Sequence, residues 1–392
     1  MKTINLKISA VLVVCCLASL SAPTAQADER KVTPSLGMRE EYNDNLFVTQ
    51  DNRAHDTITT FSPGLAYSQR SERSQLDLQG RIDSVRYADR NDLDSTDKEV
   101  KGNAGYSLSE RFWLGADGLW SRDSRLGRDL ETTGLAFSAT SRTRQNYNLS
   151  GRLQVSQKDM LQMTAGMSQD RYTDQEFSDV DGKTGRLTWS SDFSRYFNNL
   201  IVQSLIDYGR YEYITAKVDT YTVGIGGEKK ISEVWSINGW LGPSFTKTEY
   251  LFGTVRNAKD TGLSGSLGVE RTWDTSSLAL TLSQSVAPDS GRNSTVTRSS
   301  FNAKYRKQLT KDLDLGLNIS YFLNKTNSDT PSLSLNEVNY QIAPNVSYRF
   351  NNDIRLESFY QHMYIDDKTD GTENTRQRNL IFMKIVFSHT FD

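Results

Sequence analysis

Cysteine is almost absent from this sequence. The 392 residues contain two, Cys15 and Cys16, side by side near the start. Both fall inside a segment with the pattern of a secretory signal, so the remaining chain has none and can form no disulfide. The same absence excludes a thiol nucleophile, a cysteine-bound metal and haem attached through a Cys-x-x-Cys-His motif.

Long apolar runs are missing after the first 27 residues. Two lysines, an apolar run over residues 8–20 and small residues at 25–27 predict a signal peptide over residues 1–27. The run is shorter than the ~20 apolar residues of a membrane-spanning helix. No later run is longer and the mean hydropathy is −0.59, which excludes a membrane protein built of helices. A membrane β-barrel is not excluded, because its lumen and loops are polar.

The sequence also lacks a large excess of either basic or acidic residues. The signal segment holds two of the 46 basic residues and none of the 48 acidic ones, so residues 28–392 are close to neutral and slightly acidic. That balance argues against nucleic acid as a partner.

Histidine is scarce and offers no catalytic arrangement. The chain has His55, His362 and His389. His55 and His362 lie near carboxylates that could in principle help them activate water, but acid-rich loops near a lone histidine are common. The acidic stretches lack the spacing of a calcium-binding loop. We therefore expect no enzyme activity, no catalytic residue, no metal site and no cofactor.

The sequence instead alternates between apolar and polar side chains. Its last segment has an apolar face made of Ile381, Met383, Ile385, Phe387 and Phe391. Successive side chains of a strand point to opposite faces, so this segment predicts a strand with one apolar and one mixed face. Similar segments recur from residue 31 onward, and none has helical spacing over a useful length.

This ending resembles the C-terminal strand of bacterial outer-membrane β-barrels, whose near-terminal aromatic is recognised by the assembly machinery. The resemblance implies that Phe387 and Phe391 form an assembly signal. It also implies the barrel assembly machinery and outer-membrane lipid as partners, and the bacterial outer membrane as the location.

Aromatic residues and turn lengths extend the barrel prediction to the whole chain. Trp235 and Phe245 lie ten residues apart on one face, which corresponds to roughly 20–25 Å along the axis of a tilted barrel strand. Short turns alternate with longer polar stretches, as in bacterial barrels. A soluble β-sandwich is the alternative, but it would have to bury every apolar face in one core.

We predict an all-β fold, a single antiparallel transmembrane barrel of about 18 strands over residues 28–392. An extra hairpin within residues 133–137 would change the number, so the range is about 16 to 20 strands.

The opposite faces of these strands form the predicted lumen. They carry charges of both signs, which suits a water-filled passage, and no ring of one sign indicates a strongly ion-selective pore. The lumen candidates are Arg39, Asp77, Arg81, Asp117, Arg152, Asp207, Glu228, Lys230, Glu270, Lys304, Arg306, Arg349, Arg355, Glu357 and Lys384. A simpler alternative is that these charges only pair across strands and stiffen the wall.

A short motif follows the first predicted strand. Residues 42–47 read Tyr-Asn-Asp-Asn-Leu-Phe, and Tyr42, Asp44, Asn45 and Phe47 resemble a family of outer-membrane β-barrel porins found in bacterial exopolysaccharide operons. The resemblance implies passage of a secreted polysaccharide, with polysaccharide export proteins as partners. A plainer expectation is that the Asn and Asp side chains shape the first outer loop.

The sequence thus predicts a hydrophilic passage through the outer membrane for export of a secreted polysaccharide. A barrel of this size leaves an aqueous channel, whereas about 8 strands would be filled by side chains. Two alternatives remain open. One is a general diffusion porin, and the other is the barrel sheath of a multihaem electron conduit, which would need a separate haem protein.

Overall fold

The structure, a computed structural model, describes residues 29–124, 141–174, 178–251, 257–289, 294–326, 336–368 and 373–391. Eighteen strands in these ranges form one antiparallel sheet. Each strand pairs with the next along the chain, and β18 pairs with β1, so the sheet closes into a barrel. The predicted fold class and strand number are confirmed. The signal segment and residues 133–137 lie outside the described residues.

The strands are long enough to extend beyond an apolar band of ~25 Å. Their bounds are β1 Glu29–Asn43, β2 Asp56–Arg70, β3 Ser74–Tyr87, β4 Ser95–Ser109, β5 Phe112–Asp123, β6 Arg142–Gln154, β7 Asp159–Tyr172, β8 Val180–Asp192, β9 Leu200–Tyr213, β10 Ala216–Lys230, β11 Trp235–Tyr250, β12 Asn257–Thr272, β13 Ser276–Asp289, β14 Ser294–Gln308, β15 Leu313–Thr326, β16 Asn336–Arg349, β17 Ile354–Asp367 and β18 Asn374–Ser388. A 3₁₀ turn spans Asn91–Leu93. Over the described ranges, no helix is long and apolar enough to cross a membrane.

Side chains on each strand alternate between an outward face and a lumen face. On β1 the apolar side chains of Leu36 and Met38 are exposed on the outward face, whereas Arg39 and Glu41 lie on the lumen face and form an ion pair. Large apolar side chains are exposed in this way around the barrel. Such a surface would be costly in water but is stable in lipid.

The last strand completes the ring. β18 pairs with β17 on one side and with β1 on the other, which leaves no unpaired sheet edge. Its predicted apolar face points outward, with Phe387 opposite Leu36 of β1. Beyond the strand, Val32 and Phe391 exchange backbone hydrogen bonds at 2.9 Å in both directions.

The two ends of the barrel differ. The end with Glu29 and Phe391, here called the turn end, carries short connections such as 71–73, 110–111 and 273–275. The opposite end, the loop end, carries longer ones, including residues 44–55 (loop 1) and 88–94 (loop 2). The predicted alternation of short and long connections is present. An exception at the loop end is the link between β9 and β10, which consists of Ile214 and Thr215 alone.

Candidate functional site: the lumen and its mouth

All fifteen predicted lumen candidates lie on the lumen face. The register shows how neighbouring strands bring them together: Lys384 on β18 stands opposite Arg39 on β1 and opposite Glu357 on β17. The alternation seen in the sequence accounts for this placement, because each candidate is an odd number of residues from the outward apolar side chains of its own strand.

Most of these charges are engaged by neighbours on the wall. The ion pairs include Arg39–Glu41 at 2.8 Å, Arg70–Asp77 at 2.8 Å, Arg81–Asp83 at 3.2 Å, Arg186–Asp207 at 2.5 Å, Arg306–Asp314 at 2.9 Å, Arg355–Glu357 at 2.9 Å and Lys384–Glu357 at 3.3 Å. Asp117 accepts a hydrogen bond from Asn148 at 2.8 Å, and the Arg152 guanidinium lies 5.3 Å from the centre of the Trp113 ring. These contacts agree with the simpler alternative that the charges pair across strands and stiffen the barrel wall. The lumen face nevertheless remains polar.

Aromatic side chains also reach the lumen. Phe359 and Phe382 face each other across β17 and β18, with ring centres 4.9 Å apart in a stacked arrangement. The Arg39 guanidinium lies 5.0 Å from the centre of the Phe382 ring. The lumen is therefore polar but contains a flat apolar surface beside charged groups.

Loop 1 folds into the mouth of the barrel at the loop end. Leu46 packs against Ile58 and Val85, two side chains on the lumen face of β2 and β3. Two residues later, Val48 packs against Met363 and Ile365 on the lumen face of β17. Loop 1 thus reaches from β3 to β17 across the intervening strands and narrows the mouth.

The motif residues hold loop 1 in this position. Asn45 is fully buried. Its side-chain amide donates hydrogen bonds to the Thr49 carbonyl at 2.7 Å and to the Gln377 carbonyl of β18 at 2.8 Å. Its side-chain oxygen accepts a hydrogen bond from the Thr49 backbone N–H at 3.0 Å. Asp44 bonds to Asn379, also on β18.

Val48 shows that the loop conformation is imposed by its surroundings. Its φ is 49°, in a left-handed region that a β-branched residue rarely adopts. Such a residue costs on the order of 1–3 kcal/mol and persists only where packing over-determines it. The buried contacts of Val48 with Met363 and Ile365 supply that packing.

Loop 2 is fastened beside loop 1. The buried Asp56 carboxylate accepts hydrogen bonds from the backbone N–H groups of Ala88, Asp89 and Arg90 at 3.0–3.3 Å. The Arg90 guanidinium lies 5.3 Å from the centre of the Phe47 ring and also binds Asp92. This hydrogen bond from Arg90 lowers the pKa of Asp92 from its ordinary value.

A polar vestibule of about 630 Å³ opens beneath these loops. Its lining carries both charges, including Arg39, Glu41, Arg81 and Asp83. Two of the three histidines lie away from the vestibule. His362 contacts Asn379 on the outward side at 2.8 Å, and His389 contacts Asp353 at the turn end at 3.0 Å. The described residues contain no group of three or more side chains arranged to hold a metal ion.

Two family profiles match the chain. The family described as "Putative beta-barrel porin 2" matches residues 31–221, and the family described as "Putative MetA-pathway of phenol degradation" matches residues 263–390. The first match covers nearly all of β1 and then β2 to the middle of β10, and the second covers most of β12 and then β13 to β18. No curated protein matches the chain significantly.

The porin match agrees with a closed barrel that exposes an apolar band. Closed barrels and helices are the structures that satisfy their backbone polar groups within lipid. The protein is a porin-like β-barrel of the bacterial outer membrane. Short turns of such barrels lie in the periplasm, so the turn end of this porin-like barrel is periplasmic and its loop end faces outward from the cell.

Solved structures resemble this porin-like barrel in fold. OccAB4 of Acinetobacter baumannii is 10% identical with a TM-score of 0.49, and the match covers 94% of this chain and 100% of that one. OpdK of Pseudomonas aeruginosa, crystallised with vanillate, is 11% identical with a TM-score of 0.49, covering 92% and 99%. The ferric-catecholate import receptor Fiu of E. coli K12 is 9% identical with a TM-score of 0.49, covering 94% and 82%. Likeness at this level carries no argument about function.

Sequence reasoning missed the apolar anchors of loop 1. Leu46 and Val48 lie in a short polar stretch, where period-two patterning does not apply. The available signal was that two apolar side chains two residues apart directly follow three residues, Asn43, Asp44 and Asn45, that favour turns.

Proposed function

We propose that the protein is a passive passage for small polar solutes across the outer membrane. The observation that carries this proposal is the lumen face, on which charges of both signs and uncharged polar groups line a barrel of eighteen strands. Barrels of 16–18 strands leave an aqueous channel. Loop 1 would set the size limit, because it narrows the mouth without forming a separate plug.

Planar-bilayer recording of the purified protein tests the proposal. We expect stepwise conductance, and liposomes containing the protein should admit small sugars faster than large ones. A preparation carried through the same purification from cells lacking the protein is the control. A barrel that stays electrically silent even when loop 1 is released would overturn the proposal.

Passage of a sugar polymer is a second candidate. It draws on the resemblance of residues 42–47 to the exopolysaccharide-associated family and on the stacked Phe359–Phe382 pair, a flat apolar surface on which a sugar ring could pack. The family matches carry no such association. Loss of surface polysaccharide in a deletion strain that keeps normal small-solute uptake would favour this candidate over the first.

The sheath of a multihaem conduit is the remaining alternative. It would use the same barrel with a haem protein inside, and haem absorption in the purified complex would support it. Purification without haem, together with conductance from the protein alone, would favour a passage for solutes.

A further inference from the structure

Four cationic side chains lie together on the lumen face at the periplasmic turn end. They are Lys304 and Arg306 on β14, Arg349 on β16 and Arg355 on β17. With the carboxylates Asp312 and Asp314 they line a concavity of about 480 Å³, here called the basic cleft. Four cations against two carboxylates leave positive charge in excess.

The strand register adds repulsion within the basic cleft. Arg349 and Arg355 stand directly opposite each other on neighbouring antiparallel strands, where like charges destabilise the pairing. Arg355 has Glu357 at 2.9 Å, but Lys384 shares that carboxylate at 3.3 Å. The side chain of Arg349 has neither an ion pair nor a hydrogen bond within the described ranges.

Lys304 is also left without a counter-charge. It stands opposite the neutral Asn318 of β15 and has no ion-pair partner among the residues that the structure describes. Its neighbour on the same face, Arg306, pairs with Asp314 at 2.9 Å. Two of the four cations therefore lack a carboxylate, whereas the lumen arginines Arg39 and Arg186 each have one within 3 Å.

We propose that the basic cleft binds the carboxylate or phosphate group of small anionic solutes at the periplasmic end of the passage. Guanidinium groups bind oxyanions through paired N–H donors, and an ammonium group adds a compact point charge. Asn318, Asn345 and Ser347 line the same concavity and offer uncharged donors. An excess of positive charge in a cleft also raises the local concentration of anions.

The proposal names a solute class for the passage proposed above and in that sense rests on it. Binding to the basic cleft does not itself require conduction, so the two can be tested separately. Citrate and inorganic phosphate are suitable probes, because they carry the two kinds of oxyanion without any other recognition group.

The test compares the wild type with the double variant Lys304→Gln, Arg349→Gln. The control is Lys307→Gln, which removes one positive charge from the outward face of β14, where Lys307 donates a hydrogen bond to the Thr275 hydroxyl at 3.0 Å. Calorimetry in detergent at low ionic strength measures citrate and phosphate binding. Reversal potentials in a KCl gradient measure the preference for anions.

We expect the wild type and Lys307→Gln to bind at least one probe and to prefer anions. The double variant should bind roughly tenfold more weakly or worse and lose the preference. Stronger citrate binding would indicate carboxylate solutes, and stronger phosphate binding would indicate phosphate esters. Both results support the basic cleft.

Wild-type protein that binds neither probe would overturn the proposal, as would equal binding by wild type and double variant. A conducting protein without anion preference or binding would overturn the basic cleft and leave the passage standing. A protein that does not conduct but still binds citrate would overturn the passage and leave the basic cleft standing. Heat-modifiable migration in gels shows for each variant that the barrel is folded.

Discussion

Asp44 and Asn379 fasten the first strand to the last. The Asp44 carboxylate accepts hydrogen bonds from the backbone N–H and from the side-chain amide of Asn379, both at 2.6 Å. The bond lies just beyond the last register pair of β1 and β18, Asn43 with Leu380. A motif singled out for its family likeness thus closes the barrel seam at its loop end.

Replacing Asp44 with alanine should weaken this seam. Hydrogen bonds to a charged acceptor contribute about 1.5–3 kcal/mol when shielded from water, and the partly exposed position places the expected loss at the low end. We expect the temperature of the heat-modifiable gel shift to fall. Asp51→Ala is the control, because Asp51 is an exposed carboxylate in the same loop. Equal transition temperatures for the two variants would show that the seam does not depend on Asp44.

Replacing Asn45 with alanine should release loop 1 from the mouth. The change removes the hydrogen bonds of Asn45 with Thr49 inside the loop and with Gln377 of β18. The expected loss is about 1–3 kcal/mol for buried polar partners. Because the freed loop no longer narrows the mouth, single-channel conductance should rise and become noisier. The exposed neighbour Gln50→Ala serves as the control. Unchanged conductance would mean that the narrowest point lies elsewhere.

Replacing Asp56 with alanine should free loop 2. The buried carboxylate is the acceptor for three successive backbone N–H groups of that loop, and their loss costs on the order of 2–3 kcal/mol. Amide exchange at Asp89 and Arg90 should accelerate, because Asp56 is the acceptor for both N–H groups, and protease should cut the loop. Asp89→Ala removes an exposed carboxylate from the same loop but keeps its backbone N–H, and exchange should then be unchanged.

Replacing Phe391 with alanine should lower the amount of protein in the outer membrane. Phe391 lies at the periplasmic turn end, more than half exposed on the outward face and bonded to Val32, in the position implied for an assembly signal. Phe350→Ala is the control, since Phe350 is an equally exposed aromatic at the same end of the barrel. Deleting Asp392, which lies outside the described residues, should have little effect. Equal levels of the two phenylalanine variants would remove this support for the signal.

The barrel itself could be predicted because the alternation of apolar and polar residues that produces it lies within each short segment of the sequence. A period of two decides which face of a strand meets lipid, and it assigned Arg39, Asp207 and Lys304 to the lumen without knowledge of any partner. Strand number followed from the regular spacing of polar turns. The exact number stayed open because of residues 133–137, which could form either an extra hairpin or part of an outer loop.

The tertiary structure alone decided which of these residues meet. Asp44 and Asn379 are 335 positions apart, and only closure of the ring makes them neighbours. Arg349 and Arg355 of the basic cleft oppose each other because of the register between β16 and β17, which no single strand encodes. The sequence by itself determined the barrel and its two faces, since alternation is a property of each segment. Loop 1 and the unbalanced charge depend on contacts between segments, and those exist only once the barrel has closed.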